Sequence, residues 1–403
     1  MMRKNVDYII FILMLAFTTF EYFFREDRLA ILISFFAMGV VVFRGIHRNY
    51  NISYPITVIC VFLVWSLIQS ALIPGRSLIQ PISLGISLFG AMSIAMLLKD
   101  RFVSIFVTTI YYIAIFALII YLLCLDPSIQ SFLINDLTRN FTSLNVEAAI
   151  IEGGGKNFII HNFAGGDHVL EATNMLRNCG PFWEPGMFAI FLNIALFLHN
   201  IVEKQNLPLC NIILVAALVT TFSTGGYVCG LLVLLLYIIV GRQNHIVSAV
   251  CIVLFIVLAQ YFMQLEFVGE KAMDQSEEFE IGSDVSRFGA FLTQLEMIKD
   301  HPVLGGAKIS DYSLYADNRT LASGTLLPFV SYGIPIGLCY MAIMLQSLIE
   351  LVKSKGQKVI AGVVFFVLLL VLSFSQTILL SLWMMTIIFV GLITKENKNY
   401  YVR

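Results

Sequence analysis

Residues Phe102 to Leu123 read FVSIFVTTIYYIAIFALIIYLL, without one charged side chain. At 1.5 Å per residue, a helix of that length crosses a hydrocarbon core about 30 Å thick. A surface helix of a soluble domain would carry a polar face, and this stretch has none. Outward from it the same signature recurs, at 8–24, 29–43, 54–73, 78–98, 182–199, 208–222, 224–240, 246–264, 325–351, 359–373 and 375–393. The pair 208–222 and 224–240 is parted only by Ser223-Thr224-Gly225-Gly226. A single helix there would overspan the bilayer, so two short helices joined at the glycines are expected. The fold expected is an all-α polytopic membrane protein of about 12 transmembrane helices.

Composition points the same way. The chain is 59% hydrophobic and 13% charged, against roughly 25% charged in soluble domains. Water-soluble packing could not hide that much apolar surface. A net charge of −1 leaves no basic field for nucleic acid. Met1 to Asn5, with Arg3 and Lys4, resembles the basic end of a signal peptide. Tyr8 to Phe24 is nevertheless long enough to span, and no small-x-small cleavage site follows, so an uncleaved first helix is expected. Cys60, Cys210, Cys229, Cys251 and Cys339 fall in apolar stretches and read as small core residues. Cys124 and Cys179 lie near the first long polar stretch, where an oxidising compartment would permit a disulfide. No cysteine spacing resembles a zinc site, and neither metal nor other cofactor is expected.

Orientation follows from the basic residues at helix ends. With the N-terminus inside, the cytoplasmic ends hold Arg3, Lys4, Arg44, Arg48, Lys99, Arg101, Lys204, Arg242, Lys353, Lys355, Lys358, Lys395, Lys398 and Arg403. The short outside turns hold only Arg25, Arg28 and Arg76. Both termini are therefore expected in the cytoplasm and both long loops outside. The chain divides into a five-helix membrane segment 1–123, a first outside loop 124–181, a four-helix segment 182–264, a second outside loop 265–324 and a three-helix segment 325–403. Helix packing needs no loops of that length, and long loops usually carry function. Within the second, Val285, Phe288, Leu292, Leu295 and Ile298 recur at helical spacing. They predict an amphipathic surface helix over 284–300, capped by Ser283 or Asp284 and lying on the membrane surface as a roof.

The candidate chemistry sits on these loops. In Arg177-Asn-Cys-Gly-Pro-Phe-Trp-Glu184-Pro-Gly186 the first loop re-enters the membrane. Pro185 suits a first helical turn and puts Glu184 at the helix mouth, where the dipole favours an anion. A structural reading makes Glu184 a cap, Arg177 its ion partner and Trp183 an interface anchor. A functional reading gives Arg177 to phosphate, Glu184 to proton transfer or sugar hydroxyls, and Trp183 to stacking on a sugar. Arg287, in Ser286-Arg-Phe-Gly289, either pairs with Asp284 or contacts the same anion. Met297-Ile-Lys-Asp-His301-Pro-Val-Leu-Gly-Gly306 holds helix-stop signals, so His301 is a turn residue or an acid–base group. Asn318 and Arg319 directly precede the next span, where arginine also snorkels to headgroups. His161, Asp167 and His168 lack ligand spacing for a metal. Gly153-Gly-Gly-Lys156 lacks the strand, helix and Ser/Thr of a phosphate-binding loop.

Taken together, Phe182-Trp-Glu-Pro-Gly-Met-Phe-Ala189, Phe222-Ser-Thr-Gly-Gly226, Ser286-Arg-Phe-Gly289, Lys299-Asp-His-Pro-Val-Leu-Gly-Gly306 and Ser331-Tyr-Gly-Ile-Pro-Ile-Gly337 resemble the O-antigen polymerase and ligase superfamily. These are integral-membrane glycosyltransferases using undecaprenyl-diphosphate-linked glycans. The similarity covers residues 177–340; before the first long loop only hydropathy agrees. The resemblance implies that basic residues of the two outside loops hold the lipid diphosphate, and Arg177 and Arg287 are the matching positions. Ligases of this family carry a histidine just before the span after the second loop. Here that place reads Asp317-Asn318-Arg319, which favours the polymerase branch.

A polymerase of this kind would sit in a bacterial inner membrane. On the periplasmic side it would join lipid-linked oligosaccharide repeat units, as donor and acceptor, into O-antigen or capsule-type polysaccharide. Its partners would be the bilayer and the chain-length regulator and flippase of the same pathway. The alternatives are a ligase that passes glycan to lipid A core, and a flippase or transporter of the lipid-linked glycan. A transporter should show charged or broken helices at mid-membrane. The main polar intruders here are Asn193, Gln260 and Gln376, which bonds between helices would account for.

Overall fold

A computed structural model describes residues 2–23, 27–46, 50–137, 157–158, 160–163, 169–170, 175–204, 208–241, 287–306 and 323–401. About 80% of it is helical. The helices are α1 Met2–Thr19, α2 Asp27–Phe43, α3 Ser53–Leu72, α4 Ile79–Leu98, α5 Phe102–Leu123, α6 Pro185–Phe197, α7 Pro208–Thr220, α8 Thr224–Gly241, α9 Arg287–Asp300, α10 Leu327–Ser354, α11 Val359–Phe374 and α12 Leu382–Tyr401. All but one of the expected apolar segments coincide with a helix. The exception, 246–264, lies outside the described residues. Four helical stretches are long and apolar enough to cross a membrane: Ser53–Leu72, Ile79–Leu123, Pro185–Val202 and Leu327–Ser354. The segment 208–240 is two helices, as expected, but they part at Thr221–Ser223, with Phe222 at φ +46, and Gly225 and Gly226 lie inside α8.

The chain forms two compact units. One comprises Met1–Met14, Arg28–Phe102 and Ala272–Arg403. At its centre lies α12, whose residues from Leu382 to Thr394 are buried all round, as an apolar helix without a polar face should be. It packs against α10 and α4. Small residues make these approaches possible. A Cβ on Gly391 would collide with Ser347, whose hydroxyl donates to Ile388 O at 2.6 Å. At one end of this unit Asp7, 4% exposed, bonds both Arg44 at 3.2 Å and Arg101. Lys355 donates to Asp100 O at 2.8 Å at the same end.

The predicted last span starts late. Residues 375–381 form a bend before α12, against which Gly324 lies so closely that a Cβ would strike Gln376 O. The amphipathic helix of the second loop exists as α9, but its predicted orientation needs correction. Ala290, Thr293, Gln294 and Met297 form the buried stripe, while Leu295 is 43% exposed and Leu292 and Ile298 are half-buried. Small residues let α9 approach α10, and Gln294 donates to Ser323 O at 2.5 Å. Val285 lies outside the described residues.

The other unit comprises Leu15–Asp27 and Val103–Lys271. Its core is α6, every residue of which is buried. Asn193 reaches from it to Ala189 O at 2.8 Å and to Gly226 O at 2.9 Å on α8. A Cβ on Gly226 would come within 2.5 Å of Ala189 Cβ, so this glycine sets the α6–α8 distance. Gln260 lies outside the described residues. Two short antiparallel pairs stand in the first loop: β1 Asn157–Phe158 with β2 His161–Asn162, and β3 Val169–Leu170 with β4 Met175–Leu176. Cys124 and Cys179 are both buried and free, so the structure contains no disulfide between them.

Candidate functional site

In the second unit the chain from Arg177 to Glu184 is bound into place by side chains acting on backbone. Asn178 accepts from Gly180 N at 3.0 Å, a local turn that glycine completes at φ +55. Its amide donates to Thr220 Oγ1 at 2.9 Å. Asn162, from β2, donates its backbone N–H to Gly180 O at 2.6 Å and its amide to Phe182 O at 3.0 Å and Trp183 O at 3.1 Å. Phe182 stacks on Phe188 and Phe191 of α6. Phe182 is therefore core, while Trp183 is half-buried.

Arg177 donates from Nε to Thr221 O at 3.2 Å and from Nη2 to Phe222 O at 3.0 Å. These carbonyls lie in the turn between α7 and α8, so the guanidinium fastens that turn and its own plane is fixed. Glu184 holds the N-cap position of α6 in extended backbone, φ −150 and ψ 161, with Pro185 following. Its side chain accepts none of the first N–H groups of the helix, so the carboxylate is not a cap. Arg177, Glu184 and Glu21 all act on the Cys179 thiol, which burial pushes well above its usual range. Arg177 also lines a cavity of about 10 Å³ with Tyr121, Cys124, His161, Asn162, Phe163 and Leu176. Burial pushes the His161 imidazole down to about 3, which leaves it neutral and too weak a base for proton transfer near pH 7.

The first unit brings together the segments Lys299–Gly306 and Ser331–Gly337. α10 is broken at Gly333, φ +77 and ψ 171, a conformation that only glycine adopts readily. Pro335 then removes a helix N–H. In lipid such a break is tolerable only when protein satisfies the freed groups, and here it does. Gly306 N donates to Val330 O at 2.9 Å, and Ile334 N donates to Pro302 O at 2.8 Å. Gln69 Nε2 donates to Ser331 O at 2.8 Å, the carbonyl Pro335 cannot serve, and to Leu304 O at 2.5 Å. Trp65 Nε1 donates to Tyr332 O at 2.8 Å. The glycines permit the contact, since a Cβ on Gly333 would collide with Val303 O and one on Gly305 with Gly333 N.

Arg287 is the first residue of α9, while Asp284 and Ser286 lie outside the described residues. His301 ends that helix with its side chain exposed, donating its N–H to Met297 O at 3.1 Å and accepting from Gly305 N at 3.0 Å. Its backbone therefore makes the turn that the stop signals predict. Asn318 and Arg319 lie outside the described residues. Asn162, Asn178, Gln69 and Trp65 were not singled out from sequence. Only Asn178, beside a glycine, carried a local turn signal. Compared with protein-family models, with curated proteins and with solved structures, the chain has no significant match.

Proposed function

We propose that this protein is a surface-polysaccharide polymerase that joins polyprenyl-diphosphate-linked oligosaccharide repeat units outside the cytoplasmic membrane. A hydroxyl of the acceptor unit attacks the anomeric carbon of the donor glycan. A new carbon–oxygen bond forms, and the bond to the lipid diphosphate breaks, with the electron pair leaving on the diphosphate. Glu184 takes the hydroxyl proton, and Arg177 and Arg287 bind the charge that grows on the leaving group. Trp183, His301, Asn318 and Arg319 belong to the substrate-binding surface.

The observation that carries this reading is the pairing of the segments behind the family resemblance. Residues 182–189 pack on 222–226 in one unit, and residues 299–306 interlock with 331–337 in the other. Four of the five segments thus meet as two structural joints. The position of Glu184 at the N-terminus of α6, where the helix dipole favours a carboxylate, supports its chemical role. The grouping of Asp7, Arg44, Arg101 and Lys355 at one end supports the cytoplasmic assignment of those residues.

A transporter of lipid-linked glycan is the second reading, because α10 is broken and broken helices mark transporter sites. The break lies near the outer end of α10, however, and its backbone groups are closed by residues 302–306 rather than open to a cavity. The test is the length of surface glycan in a deletion strain complemented with equal amounts of wild type, Glu184→Gln or Glu184→Asp. A polymerase using Glu184 as base gives single repeat units with Gln and partial chains with Asp, since such groups contribute about 10²–10⁴-fold. Full-length glycan with Glu184→Gln refutes the role of this residue. Long chains in the deletion strain itself refute the function.

A further inference from the structure

The turn between α3 and α4, Pro74-Gly75-Arg76-Ser77, puts a guanidinium where the two interlocked segments of the first unit meet. A Cβ on Gly306 would collide with Nη1 of Arg76 and come within 2.6 Å of Ile73 Cδ1. Gly306, at φ +80, is therefore the notch in which the guanidinium rests. Nε donates to Gln80 Oε1 at 2.5 Å, and Nη1 is buried without a hydrogen-bond partner. Among the described residues no carboxylate pairs with Arg76. The side chain as a whole is half-exposed. Burial pulls its pKa down, and Tyr332, from the second segment, opposes that pull.

A cation half-sunk in protein with an unmet donor and no counter-charge is unfavourable unless an anion completes it. Surface arginines ordinarily avoid this by reaching into water, but Nη1 of this one is buried against Gly306. The guanidinium in turn leaves no room for a side chain at position 306. The planar fork suits phosphate oxygens, which accept two of its N–H groups at once. The group stands in a turn expected on the outside, at the depth of lipid headgroups, rather than in the water beyond them.

We propose that Arg76, seated on Gly306 beside Tyr332, binds a phosphate of the polyprenyl diphosphate, as a basic group additional to those of the two long loops. This rests on the reading that the substrate is lipid-linked by a diphosphate. The test titrates farnesyl diphosphate into the full-length chain in phosphatidylcholine nanodiscs by calorimetry. Charge-assisted bonds of this kind are worth about 10- to 100-fold in affinity. Arg76→Gln should weaken binding by that factor and Arg76→Lys by less, while Arg28→Gln, an exposed outside arginine, should bind as wild type.

Thermal melts confirm that each variant is folded, and Arg76→Lys carries the comparison if the Gln variant fails to accumulate. Unchanged binding by the folded Gln or Lys variant overturns the inference. Equal, Arg76-dependent binding of inorganic pyrophosphate overturns the lipid assignment. So does loss of farnesyl diphosphate binding, again Arg76-dependent, when phosphatidylglycerol is added to the discs, because the seat is then a phospholipid site. Absence of farnesyl diphosphate binding to wild type also overturns the inference, but the function falls only if the deletion strain still makes long glycan.

Discussion

Replacing Gln69 by Leu keeps the volume of a fully buried side chain and removes its amide. Two carbonyls, Leu304 O and Ser331 O, then lose the donor that closes the break in α10. A buried polar group stripped of its partner costs about 1–3 kcal/mol. Carbonyl oxygens tolerate this better than N–H groups, and leucine gains some apolar contact. The orphaned Gln69 Oε1 is also removed, which recovers part of the loss. The net cost is about 2–4 kcal/mol. With an unfolding entropy of about 2.1 cal/mol/K per residue, a chain of 403 residues loses roughly 1 °C per kcal/mol. The melting temperature in detergent should therefore fall by about 2–4 °C. Trp65→Phe, which frees only Tyr332 O, should cost about half as much, and the double variant should be non-additive because both serve one break. A Gln69→Leu protein that melts within about 0.5 °C of wild type, at normal yield, would refute the account of how the break is closed.

Other outcomes follow from separate features. Asp7→Asn leaves Arg44 and Arg101 without their shared carboxylate; since both arginines are partly exposed, about 1–3 kcal/mol should be lost in the same melts, and Asp7→Glu should lose less. His161 is held at about 3 against an ordinary 6.5. Above pH 6.5 both states are neutral, and as pH falls towards 3 only the unfolded chain takes up the proton. Stability should then drop by about 1.4 kcal/mol per pH unit, roughly 2 kcal/mol at pH 5, and His161→Gln should flatten that limb of a melting-temperature profile. Cysteines introduced at Asn157 and Gln275 should react with membrane-impermeant thiol reagents in intact cells and one at Lys355 should not; the reverse pattern would overturn the orientation.

Hydropathy located the helices because lipid demands continuous apolar stretches, and Phe102–Leu123 could be nothing else. That 208–240 divides into two helices was equally legible, although the turn falls at Thr221–Ser223 and the glycines open α8. What escaped was pairing across sequence. Gly333 and Pro335 advertise a broken helix, but nothing near them names Gln69, Trp65 or Gly306 as the groups that repair it. Arg177 was picked for its charge and place, not for the carbonyls of the α7–α8 turn that it fastens. The α9 face was misassigned for a physical reason: close approach to α10 favours small side chains over the large apolar ones that periodicity picks out. Small and polar residues such as Ala290, Thr293 and Gln294 make the protein contact instead. Glu184 was read correctly as standing at a helix mouth, whereas its failure to cap required coordinates.

The stretch 307–322 is flanked by two ties to the same unit. On one side Gly306 N is tied to Val330 O, and on the other Gly324 N is tied to Ser373 O. Residues 307–322 thus begin and end on fixed ground, and lengthening such a span costs only about 0.6 kcal/mol per doubling. The length between the two ties can therefore vary at little cost in closure entropy.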